Sequence, residues 1–473
     1  MKRARPMAAL ALVLASGCAS IDAKPSFDAV ASTVANRTGL EPTWSRTDAE
    51  EDAAEQAAAK LLASPLDDAS AARIALLRNR ELLAQIEELG IARADYAQAT
   101  RIANPTLSAF RRSPSSGSGT NVEVELVENL LDILVQPARK RMAAVELETA
   151  KLRLGQTMLD LVADVRTSFY DLVAAEETVD RFTLVRDLTA AGAELARRQR
   201  DAGNLEERAV AMFEASDAQG AIDLTRAQLA EGGAREKLNV LLGLSGDETN
   251  WTAARRLPEL PPQEPDLTAL ESRAIDTRLD LGAAKFGVEL VGRALALKRG
   301  TRFFPVGVDI GFNREKESDG VRLQGPQIAI ALPIFDTGAA SIARLEAEQR
   351  QTQRQLEALA IEIRSEVRLA RDTLIGSRAI VESYQRVLLP KRRAVLDQTL
   401  RHYNLMLLGV YDLLLARREE TESAQGATSA LRDYWVARVR LERAVGGPLT
   451  GPGSAPTAPA PVQHSSTPTG GER

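Results

Sequence analysis

The sequence predicts a mainly α fold with a small β part, in which one long motif is written twice. Three observations carry that expectation. Aromatics are only 4% and the chain is crowded with Ala, Leu, Arg and Glu, a mixture suited to long helices packed through small side chains. A heptad seam of Val165, Ser168, Leu172, Ala175, Val179 and Phe182 recurs as Val367, Ala370, Leu374, Ser377, Val381 and Tyr384, each position shifted by 202. Ahead of each seam stands a pair of short runs that alternate with a period of two.

The elements follow in order. Residues 1–17 read as a secretion signal: Lys2, Arg3 and Arg5, an apolar run over 7–15, then Ala15, Ser16 and Gly17. That run is too short to span a bilayer as a helix. Cys18 follows as the one cysteine of the chain, so no internal disulfide can form. It is either an incidental residue behind an ordinary signal or the residue such a signal delivers for lipidation. Residues 18–64, polar and weakly periodic, read as an N-terminal tether.

The first copy covers 65–250. A helix over 68–102 ends at Asn104-Pro105, since proline disfavours a helical predecessor. Strands lie within about 105–131, where Val122, Val124 and Leu126 alternate with Glu123 and Glu125. A long helical hairpin spans about 137–244 and turns at Gly203. After a linker over 251–265 the second copy covers 266–447, with strands within about 303–333 and a hairpin over about 337–446 that turns at Gly409. "GNLEERAVAMFEASDAQ" from Gly203 pairs with "GVYDLLLARREETESAQ" from Gly409, and both glycines suit the positive φ of a tight turn. Pro390 falls inside a helix and should kink it, as a hinge or as a simple break. The tail over 448–473 is Pro/Ser/Thr-rich and reads as disordered.

Strand runs of this length can cross a bilayer as tilted barrel strands, with Glu123 and Glu125 pointing into a water-filled interior. Four strands cannot close a barrel, and an open edge in lipid leaves backbone groups unpaired at several kcal/mol each. If the strands lie in a membrane, subunits must share one barrel, and three of them supply twelve strands; the alternative is a soluble edge strand on which Glu123 and Glu125 form a solvated face.

The order helix, strand pair, long helix, return helix, repeated in tandem, resembles the TolC-like outer-membrane efflux factors. "ANPTLSAF", "PIFDTGAA", the Gly-centred turns and a lipobox-like stretch ending at Cys18 carry the resemblance over roughly 65–447. It implies a homotrimer, with a 12-stranded β-barrel in outer-membrane lipid on a 12-helix α-barrel. It also implies lipidation of Cys18, docking with a periplasmic adaptor, and an inner-membrane pump of RND type. The family places the helical turns at the periplasmic tip, here Gly203, Asn204, Glu206 and Glu207 with Gly409, Val410, Tyr411 and Asp412. In a trimer Glu207 or Asp412 would form an acidic ring favouring cations; alternatively these are carboxylates set at helix starts. "ENLLDILVQPARKR" lacks the glycine that follows "FD" in the second copy.

Enzymatic readings find little support. Two histidines, His402 and His464, and no His/Cys/carboxylate spacing point to neither a metal nor a cofactor. Acidic and basic residues are interspersed at a net charge of −5, which leaves no nucleic-acid footprint. Trp44, Trp251 and Trp435 read as packing residues. The alternatives are a periplasmic adaptor, which would carry one hairpin and many strands, and a coiled-coil structural lipoprotein, which would need no strand pairs.

Overall fold

A computed structural model describes residues 21–113, 120–302, 307–317, 319–331 and 334–449. The signal 1–17, Cys18, His464 and residues 450–473 of the tail lie outside the described residues. Near the N-terminus, α1 (Lys24–Thr38) and α2 (Asp48–Leu62) fold where a plain tether was expected. Thr47 and Glu50 close a reciprocal capping box at the start of α2. Phe27, Val30 and Val34 send one face of α1 into the main core, with the Phe27 ring 5.5 Å from that of Trp44. The low hydrophobicity of the segment hid this, because α1 buries few but large residues. Arg37 then donates to the carbonyls of Gly446 and Thr277, each at 2.9 Å, and so joins the first residues to the end of the second copy.

The expected single helix over 68–102 is two, α3 (Asp68–Arg78) and α4 (Arg80–Ala99). Asn79 makes the break. Its side chain accepts from the Leu82 N–H at 2.8 Å and donates to the Leu241 carbonyl at 2.9 Å, capping the new helix from a buried position. The second copy breaks alike at Arg278, between α7 (Leu270–Thr277) and α8 (Leu279–Gly300).

Strands β1 (Thr106–Arg112), β2 (Asn121–Asn129), β3 (Gly307–Lys316) and β4 (Arg322–Ala331) form one antiparallel sheet in the order β1-β2-β3-β4. From β2 the chain passes directly into α5 (Leu130–Asp201), a helix of 72 residues. At 1.5 Å per residue it is on the order of 110 Å long. It starts seven residues before the expected Pro137, because Asn129 caps the Asp132 N–H at 3.1 Å, and the proline is accommodated inside the helix. In the second copy Asp336 accepts from the Gly338 N–H at 2.8 Å and Gly338 takes φ 72°, so a turn separates strand from helix there. The glycine present in one copy and absent in the other accounts for that difference.

The return helix α6 (Glu207–Leu242) packs along α5. In the second copy α9 (Ala339–Ser383) runs through a π-turn, Tyr384–Leu388, into α10 (Leu389–Asn404), and α11 (Val410–Val445) returns. Pro390 sits at the start of α10, where its missing N–H falls directly after the π-turn. Buried Val165 and Leu172, and their counterparts Val367 and Leu374, line two main cores, the first of which also takes in Val436 and Val439 of the second copy. The linker is strapped down rather than loose. Leu66 and Thr252–Ala254 exchange backbone hydrogen bonds at 2.9 and 2.8 Å, and Trp435 donates to the Pro258 carbonyl at 2.9 Å. Trp44 and Trp251 likewise bury their rings and hydrogen-bond their indole N–H groups. No helix among the described residues is long and apolar enough to cross a membrane, which says nothing of strands.

Candidate functional site: a two-faced sheet and a paired helical tip

The sheet register sorts its side chains onto two faces, since directly opposed residues share a face. One face carries Leu107, Val124, Leu126, Ile310, Phe312, Ile328 and Ile330, all exposed large hydrophobics, with Glu128 at its helix-proximal end and Arg111, Arg314, Lys316 and Arg322 toward its far end. The other carries Ser108, Glu123, Glu125, Asn313, Glu315 and Gln327, with Phe110 and Val127 among them. Glu123 and Glu125 thus lie opposite the apolar face, as their alternation with valine requires. Neighbours answer the charge of Glu123 and of Glu315 on this face: Asn313 donates to Glu123 at 2.8 Å, Arg112 stands 3.7 Å from it, and Asn121 donates to Glu315 at 2.5 Å. Apolar-out and polar-in alternation of this kind is what a barrel wall between lipid and water needs. β1 and β4 are the outer strands of the order, each paired on one side only among the described residues.

At the far end of the long helices the two turns meet. The first is a left-handed helix stop: Gly203 has φ 76°, its N–H reaches the Arg200 carbonyl at 2.7 Å, and the Asn204 N–H reaches Gln199 at 2.8 Å. The second uses the same bonds, Met406 to Tyr403 and Leu407 to His402, each 2.9 Å. Its left-handed residue is Met406 at φ 57°, not Gly409, which is extended at φ −84°. Gly409 is instead the cap of α11, and its N–H donates to the Asp412 carboxylate at 3.0 Å. Glu206 occupies the equivalent cap of α6. The pairing of Gly203 with Gly409 is therefore corrected by three positions: Gly203 matches Met406, and Glu206 matches Gly409.

Around these turns Ala193, Ala196 and Phe213 form a small core with Leu205, Val410 and Leu414 packed on it. The Phe213 and Tyr411 rings meet edge to face at 6.3 Å. Above them a cavity of about 430 Å³ opens between α5, α6 and α11, lined by Val185, Leu188, Met212, Phe213, Leu414 and Leu415. Leu405, Met406 and Leu407 stay exposed at the tip. Glu207 is well exposed with Arg200 3.8 Å away. So the tip residues singled out in the sequence share one end of the molecule. The apolar lining was missed, although Met212 and Leu415, each nine residues past the left-handed residue of its turn and 203 residues from each other, carried the signal. No group of three or more metal-ligating side chains occurs among the described residues.

The comparisons agree with this geometry. No protein-family model matches the chain. The curated cobalt-zinc-cadmium resistance protein CzcC of Cupriavidus metallidurans is 24% identical over 397 residues, which cover 81% of this chain and 91% of CzcC. The CmeC outer-membrane channel of Campylobacter jejuni superposes with a TM-score of 0.67 at 15% identity, covering 86% of this chain and 90% of its own. The open MtrE outer-membrane channel of Neisseria gonorrhoeae gives 0.63 at 19%, covering 83% and 89%. The chain has the fold of the TolC-like outer-membrane efflux factors.

Proposed function

We propose that this protein is the outer-membrane exit duct of a tripartite efflux system. The carrying observation is the two-faced four-stranded sheet with one unpaired edge on each side, mounted on helices on the order of 100 Å long. Three copies would pair β4 of one with β1 of the next and abolish the edges. Glu123 and Glu125 would then face the water-filled lumen and the apolar face would meet lipid. Lipidation at Cys18 would add an anchor beside the barrel. No catalytic step is assigned to the chain.

The tip would dock a periplasmic adaptor, itself engaged by an inner-membrane pump of RND type. The cavity lined by Phe213 and Leu414 and the exposed Leu405 to Leu407 run support this, since exposed apolar surface of that kind marks interaction sites. Similarity to CzcC suggests divalent cobalt, zinc and cadmium ions as cargo. Deleting the gene should lower tolerance to these ions, and restoring it should recover tolerance. Unchanged tolerance would remove the metal assignment and leave the duct reading in place. Asp412, three to a trimer, would set cation preference at the tip. Asp412→Asn should shift the reversal potential of single channels toward lower cation selectivity; an unshifted potential would leave Asp412 as the cap it makes for Gly409 and nothing more.

A further inference from the structure

The outward face of the sheet is not apolar throughout. Its last row before the loops crosses all four strands as Arg111, Val122, Lys316 and Arg322, each paired directly with the next. Arg314 lies on the same face one row below, opposite Val124 and Gln324. All four cations are exposed, and among the described residues no carboxylate lies within 4.0 Å of any of them. The inward face behaves differently, for its charges answer one another through Arg112, Glu123, Asn313 and Glu315. Four cations with no carboxylate partner among the described residues, clustered on an otherwise apolar face, suit an external anion.

Their depth says which anion. From Val308 to Lys316 the strand climbs eight residues, about 27 Å along its axis, and less along the membrane normal once tilted. That distance takes the row from one end of the apolar band to the other, at the level of lipid headgroups beside the loops rather than the hydrocarbon. Cations there cost little, whereas at the midplane each would cost about 2–4 kcal/mol. We propose that Arg111, Arg314, Lys316 and Arg322 bind the phosphate groups of phosphorylated glycolipid in the outer leaflet. Guanidinium forks suit phosphate oxygens in pairs, and Lys316 adds a point charge between Arg111 and Arg322 in the row. The proposal rests on the duct reading, which puts this face in the outer membrane.

The test uses the full chain in neutral detergent, titrated with bisphosphorylated lipid A, monophosphorylated lipid A and phosphatidylcholine. Binding is read by native mass spectrometry, with inorganic phosphate as competitor and channel formation checked on the same preparation. Bisphosphorylated lipid A should bind at least about tenfold more tightly than phosphatidylcholine. Arg111→Gln/Lys316→Gln/Arg322→Gln should lose most of that preference while still forming channels. Should the triple variant fail to fold, the wild-type order of the three lipids and its weakening with salt decide the matter. Channels that bind all three lipids alike overturn the inference and spare the duct. Displacement by equimolar inorganic phosphate overturns the lipid as the source of the anion, and absence of channels overturns both readings.

Discussion

Gly203 and Met406 hold the same left-handed position in the two turns, one at no steric cost and one against it. A Cβ at Gly203 would meet nothing within 4 Å, so Gly203→Ala should cost only backbone strain, about 1–2 kcal/mol. Met406 is 94% exposed, so Met406→Gly gives up no packing and should relieve strain of similar size. Amide exchange reads both: the Asn204 N–H should exchange roughly 5–30-fold faster in Gly203→Ala, and the Leu407 N–H slower in Met406→Gly. Equal exchange in wild type and both variants would mean that the turns open for another reason. Matching the copies glycine to glycine failed here because a letter was taken for a conformation. Asp412 was legible as a helix-start carboxylate, whereas the role of Gly409 as its partner needed the backbone.

The elements show why the copies drift out of register. Val165 and Leu172 match Val367 and Leu374 at an offset of 202, yet Gly203 matches Met406 at 203, and the closing glycines Gly243 and Gly446 keep 203. The extra residue lies between, where the π-turn Tyr384–Leu388 takes one residue more than an α-helical turn. Pro390 follows it, and the kink expected from a proline is a local widening of the helix in front of it. Tyr384 in that turn lies against α11 so closely that a Cβ on Gly426 would come within 2.5 Å of its hydroxyl. Gly426→Ala should therefore lower stability by about 1–3 kcal/mol, and adding Tyr384→Ala should cost less than the sum of the two changes in a thermal-melt cycle. Strict additivity would separate the glycine from the turn. The heptad seams and strand alternation were legible because burial repeats along them. The caps at Asn79 and Asn129, the π-turn and the folding of α1 were not, because each depends on partners far away in sequence.

Burial pushes the Glu442 carboxyl above its usual value, against the pull of Arg166 and Arg438 at 3.7 and 3.6 Å. A carboxyl whose folded pKa is raised contributes stability below its unfolded value of 4.5, and that contribution is lost as pH rises through the folded value. Relative to wild type, Glu442→Gln should therefore gain stability as pH is raised from 4.5 toward neutrality. A thermal midpoint difference that stays constant or moves the other way would mean that the two arginines outweigh burial.

For the whole molecule, length, duplication and strand alternation in the sequence were enough to suggest the TolC-like fold. What they could not supply was the joining of the two copies into one body. That depends on Arg37 reaching Gly446, on the linker strapped across the helices, and on Phe213 meeting Tyr411 across the two hairpins. Together these hold both tips at one end and all four strands at the other, the arrangement a shared duct requires. Planar-bilayer conductance of the purified mature protein, with its mass measured in the same detergent, tests that claim most directly. The account predicts a trimer that opens discrete channels. A monomer without conductance would contradict it, and the four strands would then have no common barrel to close.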